Sequence, residues 1–324
     1  MRILSGIQPS GKLHLGNFFG AIQQFQNFQA KNAELFIFVA DWHALTTTQN
    51  PVVLQKNIQE VAAAFCAFDL TGPKTYLYRQ SQVPEILELA WVLNCVAPLG
   101  LLERAVSFKD KIARGLKANV GLFNYPILQA ADILSLQPDR VPVGKDQKQH
   151  LEMTRVLATK LNQIFQTNLK LPEPEIPSEV AIIPGTDGQK MSKSYGNTLD
   201  LFGSAAELKK QVMRIKTDSK ALGAILEPAK CNVYQIFQLV APAQSRDLAQ
   251  QYQTGKIGYG DAKKLLLAAI QQRFDEARKK FQEYQTKPTE LTKILAQGAA
   301  KARAEAQQTL KIVRQATGLG VTGS

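Results

Sequence analysis

Five short apolar segments with strand character recur through the first part of the chain, at Arg2–Ile7, 35–40, Thr75–Arg79, 140–143 and 180–183. Between them lie stretches of helical period. Leu15, Phe18, Phe19, Ile22 and Phe25 fall on one helix face, and 57–68 and 84–96 read as further helices. Strand, helix, strand with short connections requires parallel pairing, so the expected fold class is α/β with a Rossmann-like parallel sheet. Beyond Ser194 the texture changes. From about residue 205 to 316 the pattern is helical with almost no strand signal, Gly255, Gly258 and Gly260 mark one turn, and Pro288 opens a last long helix. The expected division is a catalytic domain over 1–197 and an all-helical domain over 198–324.

Composition narrows the class. With 45% apolar and 20% charged residues, 324 residues describe a soluble globular protein with ample core. The apolar runs are too short to span a bilayer, and Gly6 interrupts the start before a secretion signal could form. Cys66, Cys95 and Cys231 are widely spaced and odd in number. Neither a disulfide framework, nor protein-bound zinc, nor an iron–sulfur cluster is expected from them, and a cytoplasmic setting fits. Of the net charge of +12, residues 1–199 carry +3 (19 basic, 16 acidic) and residues 200–324 carry +9 (20 basic, 11 acidic). Such an imbalance points the helical part toward a polyanion such as RNA. No membrane or DNA partner is expected.

Two motifs carry chemistry. Pro9-Ser10-Gly11-Lys12-Leu13-His14-Leu15-Gly16-Asn17 runs from the first strand into a helix, where backbone N–H groups and the positive helix end suit phosphate. His14 and Asn17 flank that entrance with donors able to follow charge onto an α-phosphate. The second motif, Lys190-Met191-Ser192-Lys193-Ser194, sits between Gly185, Gly188 and Gly196. Two ammonium groups in such a loop can meet a leaving pyrophosphate as its charge develops, and Ser192 and Ser194 add hydroxyl donors.

A third group suggests a small-molecule pocket. Tyr125, Gln129 and Asp132 share one face of a helix expected to begin near Pro126. Asp132 lies among apolar neighbours and needs a donor: a ligand N–H, or a neighbouring loop that caps it. Downstream, 141–147 ends a strand in a turn. There Gln147 can take an amino group, and Gly144, Lys145 and Asp146 can contact a ribose.

Taken together, Gly6-Ile7-Gln8-Pro9-Ser10-Gly11, Asp41-Trp42-His43-Ala44, Ala130-Ala131-Asp132-Ile133, the string from Val141 to His150 and the Lys190–Ser194 loop resemble the bacterial tryptophanyl-tRNA synthetases, of the class I aminoacyl-tRNA synthetases. The resemblance runs from Arg2 to about Gly318. It implies that Asp132 receives an indole N–H and that Tyr125 and Gln147 hold the amino group. Leu4, His43, Gln129, Val141 and Val143 then line the ring. It assigns ATP to Gln8, Pro9, Ser10, Gly16, Asn17, Gly144, Lys145, Asp146 and the lysine loop (Lys190, Met191, Ser192, Lys193, Ser194). An adenine contact falls at Ile182 or Ile183, with Ile183 preferred. The implied catalytic set is His14, Asn17, Lys190 and Lys193, with no protein-bound metal and Mg2+ arriving with ATP. The implied partners are L-tryptophan, ATP, tRNA(Trp) and a second copy in a homodimer.

The sequence departs from this pattern in two places. Gln129 stands where many members carry methionine, so its amide must find its own partner. Lys145 stands where an acidic residue is common. The alternatives are a tyrosyl-tRNA synthetase of the same subclass, a small-molecule nucleotidyltransferase with a similar loop, and a non-catalytic RNA-binding relative.

Overall fold

The computed structural model describes residues 1–105, 115, 118–144, 147–175, 183–220 and 223–320. The chain divides into two compact units: 1–11, 25–178 and 287–324 in one, 12–24 and 179–286 in the other. The segment after residue 197 therefore does not stay together. Its last helix belongs to the unit that holds the sheet.

That sheet has five parallel strands: β1 (Arg2–Ile7), β2 (Glu34–Val39), β3 (Thr75–Arg79), β4 (Arg140–Pro142) and β5 (Glu173–Glu175), in the order β3-β2-β1-β4-β5. β5 escaped the sequence reading because Glu173-Pro174-Glu175 has no apolar pattern, and proline is tolerated there on an edge strand. Of the strand expected at 180–183, residues 180–182 lie outside the described residues. Ile183 is not in a strand; its carbonyl accepts the Met191 N–H at 2.8 Å. The strand order reverses between β1 and β4, and the crevice beyond that switch is where open α/β sheets hold ligands.

The helices of this unit are α1 (Gln23–Ala30), α2 (Pro51–Ala67), α3 (Glu85–Val96), α4 (Val120–Leu136) and α5 (Lys148–Phe165). α4 starts six residues before the expected Pro126. The Asn119 side chain accepts from the Leu122 N–H at 2.7 Å and caps it. Pro126 lies inside the helix and not at its start. The last helix, α10 (Pro288–Thr317), lies against β3. Small residues on its buried face (Gly298, Ala299, Ala302, Ala306) permit that approach. Arg2 ties the same helix to β1 and β2 through Glu305 at 2.9 Å and Glu34 at 2.8 Å.

The other unit contains α6 (Ala205–Met213), α7 (Asn232–Val240), α8 (Ser245–Gln253) and α9 (Tyr259–Thr286). It also holds the helical turn Leu15–Asn17 and the π-helical turn Phe18–Ile22. Arg273 of α9 donates to the carbonyls of Leu239 (2.9 Å) and Val240 (2.8 Å) at the end of α7. Its guanidinium also lies over the rings of Phe18 and Phe19, which fixes the π-helical turn. Among the described residues no helix is long and apolar enough to cross a membrane.

Candidate active site

Ten of the residues singled out in the sequence line one cavity of about 400 Å³ in the sheet unit: Leu4, Gln8, His43, Tyr125, Gln129, Asp132, Val141, Val143, Gly144 and Gln147. It opens at the carboxyl ends of β1 and β4, where the strand order reverses. Phe38, Thr46 and Ile133, not anticipated as wall residues, are also part of its lining. Gly6 is required beside Phe38. A Cβ there would fall 2.6 Å from the phenyl ring, so a side chain would drive that ring out of the wall.

At one end of the cavity lies the Asp132 carboxylate, 1% exposed. It accepts from Gln80 Nε2 at 2.7 and 2.9 Å, one contact to each oxygen, and pairs with His43 Nε2 at 2.7 Å. The donor that this buried acid needs is thus supplied by the protein. Burial raises its pKa above the usual carboxylate value, and His43 and Gln80 draw it partly back. Gln80 carries no motif and was missed. Its one signal was position, directly after a parallel strand. Tyr78, fully buried two residues before Gln80, has a phenol held well above its ordinary pKa by burial and by the charge of Asp132.

Behind the cavity wall, His150 links two of its lining residues, Tyr125 and Gln147, in a hydrogen-bonded triplet. Tyr125 Oη is 3.1 Å from His150 Nε2, and His150 Nδ1 is 2.8 Å from Gln147 Oε1. If His150 carries its proton on Nδ1, it donates to the Gln147 carbonyl and accepts the Tyr125 hydroxyl.

In the other unit the two sequence motifs come together. Leu15 N–H donates to the Leu199 carbonyl (2.9 Å), Leu201 N–H to Leu13 (3.1 Å), and Gly16 N–H to the Met191 sulfur (3.2 Å). The Asn17 amide oxygen accepts the His14 N–H at 3.1 Å, closing the helix entrance. His14 is 6% exposed, and its pKa is pushed down to about 4 by burial and by the nearby Lys193 charge, with Asp200 opposing. The imidazole is therefore neutral near pH 7, and its buried Nδ1 has no hydrogen-bond partner among the described residues.

The lysine loop is more ordered than its glycines suggested. Residues 183–191 form a hairpin through the Pro184–Lys190 bridge, and Lys193–Tyr195 makes a 3-10 turn. Asn197, 2% exposed and not foreseen, holds the hairpin to that turn. It accepts from Ser192 N–H (2.7 Å) and donates to Asp187 (2.7 Å) and to the Lys190 carbonyl (3.1 Å). Gly185 leaves room for it, since a Cβ would fall 2.3 Å from its amide nitrogen. Lys190 and Ser194 are exposed, Ser192 and Lys193 half-buried.

Of the remaining expected ATP contacts, Pro9 and Ser10 do not line this cavity, and Lys145, Asp146 and Ile182 lie outside the described residues.

A parallel β3-β2-β1-β4-β5 sheet, a histidine–glycine loop on a helix entrance and a Lys-Met-Ser-Lys-Ser hairpin together define a class I aminoacyl-tRNA synthetase. Residues 1–275 match the family described as tRNA synthetases class I (W and Y). The tryptophan–tRNA ligase of Campylobacter jejuni is 45% identical over 320 residues, 98% of this chain and 100% of that protein. That of Fusobacterium nucleatum is 45% identical over 321 residues, 98% of each chain. The crystal structure of the Campylobacter jejuni tryptophanyl-tRNA synthetase complexed with ADP and tryptophan superposes with a TM-score of 0.94 over 98% of this chain and all of that one. The Mycoplasma pneumoniae synthetase, 31% identical, gives 0.84 over 98% of both chains. This chain belongs to the tryptophanyl-tRNA synthetase family.

Proposed function

We propose that this chain activates L-tryptophan with ATP to tryptophanyl-adenylate and pyrophosphate, and then transfers tryptophan to the terminal ribose of tRNA(Trp). The observation that carries this reading is a 400 Å³ cavity with a buried carboxylate, Asp132, in its wall, in a chain whose relatives are tryptophan–tRNA ligases. An indole N–H donates to Asp132. Phenylalanine offers no such donor, so the carboxylate lone pairs not used by His43 and Gln80 would face an apolar ring edge, and it is rejected without an editing step. The ammonium group of the amino acid goes to Tyr125 and Gln147, and Leu4, His43, Gln129, Val141 and Val143 pack on the ring.

ATP, with its Mg2+, is the co-substrate. It is assigned to Gln8, Pro9, Ser10, Gly16, Asn17, Gly144, Lys145, Asp146, Ile183 and the Lys190–Ser194 loop. The tryptophan carboxylate attacks the α-phosphate in line, and pyrophosphate leaves. No side chain acts as nucleophile. Neutral His14 and the Asn17 amide donate to phosphate oxygens as charge builds, and Lys190 and Lys193 stabilise the departing pyrophosphate. The basic helices after residue 197 hold the anticodon region of the tRNA. A homodimer is supported by an apolar groove in the sheet unit lined by Trp42, Leu87, Ala90, Trp91 and Leu128, in which Trp91 is 70% exposed.

The test is amino-acid-dependent ATP–pyrophosphate exchange with tryptophan, tyrosine, phenylalanine and no addition. Exchange with tryptophan alone is expected. Exchange with tyrosine instead would overturn the role given to Asp132, and none with any amino acid, in a folded protein, would overturn the activity.

A further inference from the structure

We infer that Gln80 is the positioning residue that aims Asp132 at the indole nitrogen, an inference that rests on the reading of Asp132 as the indole acceptor. Gln80 is 0% exposed and does not line the cavity, so it has no route to the substrate except through its neighbours. Its amide nitrogen contacts both oxygens of the Asp132 carboxylate, at 2.7 and 2.9 Å. Its amide oxygen accepts the backbone N–H of Trp42 at 3.1 Å and of His43 at 3.4 Å. His43 in turn reaches back with Nε2 to Asp132 at 2.7 Å. One side chain therefore holds the carboxylate at one end, and at the other the backbone from which the second holder of that carboxylate springs.

Gln80 is itself fixed from both sides. Asp41, 4% exposed, accepts from Ser81 N–H at 2.9 Å and from the Ser81 hydroxyl, and pairs with Arg79 at 3.2 Å. The turns that end β2 and β3 are thereby stitched together on either side of the Gln80 amide.

A carboxylate has about four lone-pair sites. With Gln80 bridging both oxygens and His43 on Oδ2, the carboxylate plane cannot rotate. The unused lone pairs then point in one fixed direction, as a reader of a single N–H requires. Glutamine suits this place because it donates and accepts at the two ends of one planar group and carries no charge into a buried site. Methionine keeps the volume and loses both functions. Glutamate keeps the acceptor for the Trp42 N–H, loses the donor, and sets a second carboxyl group against Asp132, which would make the pair share a proton.

The experiment compares Gln80→Met, Gln80→Glu and Asp132→Ala with the parent chain by ATP–pyrophosphate exchange. The substrates are tryptophan and its benzothiophene analogue, in which sulfur replaces the ring N–H, with the KM for ATP as control. For the Gln80 variants, the tryptophan KM is expected to rise roughly ten- to a hundredfold with the ATP KM within about twofold, as expected when a polar contact to substrate is misaligned. The preference for tryptophan over the analogue should shrink at least about tenfold. Should Gln80→Met fail to fold, the near-isosteric Gln80→Glu carries the test. If the Gln80 variants keep the preference, or lose activity equally on both amino acids, while Asp132→Ala abolishes it, Gln80 is merely structural and the pocket assignment stands. If Asp132→Ala itself keeps the preference, the reading of Asp132 falls and this inference with it.

Discussion

Gly298 of α10 is the position where the helix meets the sheet backbone, and its replacement by alanine gives a worked test of that packing. An ideal Cβ on Gly298 lies 2.0 Å from the Leu77 carbonyl oxygen, 2.6 Å from its carbonyl carbon and 2.9 Å from its nitrogen. A carbon–oxygen contact settles near ~3.3 Å, so α10 must retreat by roughly 1.3 Å at this turn. No rotamer can relieve the clash, because the obstacle is the backbone of β3, hydrogen-bonded in register to β2. Lifting the helix opens gaps beneath Leu295, Ala299 and Ala302, all buried, and a gap of that size forfeits about half of each dispersion contact. Overpacking of this kind costs up to about 3 kcal/mol, and the better helix propensity of alanine returns ~1, so a net loss of about 2 kcal/mol is expected.

Urea unfolding measures this loss, with Gly260→Ala in α9 as the control. A Cβ on Gly260 meets nothing within 4 Å, so that substitution should be neutral or stabilising by ~0.4–1 kcal/mol. The two variants should move in opposite directions. If Gly298→Ala instead raises the midpoint as Gly260→Ala does, the helix does not bear on the Leu77 backbone and the account of α10 is wrong.

Two further predictions concern the phosphate-side motifs. Asn197→Ala removes the acceptor for the half-buried Ser192 N–H and the donor to Asp187, an omission worth ~1 kcal/mol locally. Because it loosens the loop proposed to meet pyrophosphate, kcat should fall about ten- to a hundredfold with the tryptophan KM little changed; a pure rise in KM would count against the pinning role. For His14, with its folded pKa near 4 against an unfolded value near 6.5, the unfolded chain binds the proton first as pH drops. Its contribution is complete above pH 6.5 and is lost progressively down to pH 4, by at most ~3 kcal/mol. His14→Gln should flatten the pH dependence of stability in that window, and an unchanged slope would show that burial does not suppress its protonation.

The sequence by itself determined the parallel α/β class, strand β3 to the residue and the first residue of α10, and it singled out both sequence motifs and ten of the residues around one cavity. The elements rest on local rules, a period of two or 3.6 and the fixed φ of proline, the motifs on short strings, and most of the cavity residues on the family resemblance that those strings carry. What the tertiary structure alone decided is non-local. Gln80 and Asp132 are 52 residues apart, and nothing in the neighbourhood of either announces the other. The same holds for Asn197, whose role becomes visible only once 183–191 folds back as a hairpin beside it. α10 reads as one more helix of a helical tail. It returns to the sheet because its small-residue face fits the β3 backbone, and such a fit depends on the shape of a surface built some 200 residues earlier. Local propensity selects the elements; which buried polar groups satisfy one another is settled when distant segments close around them.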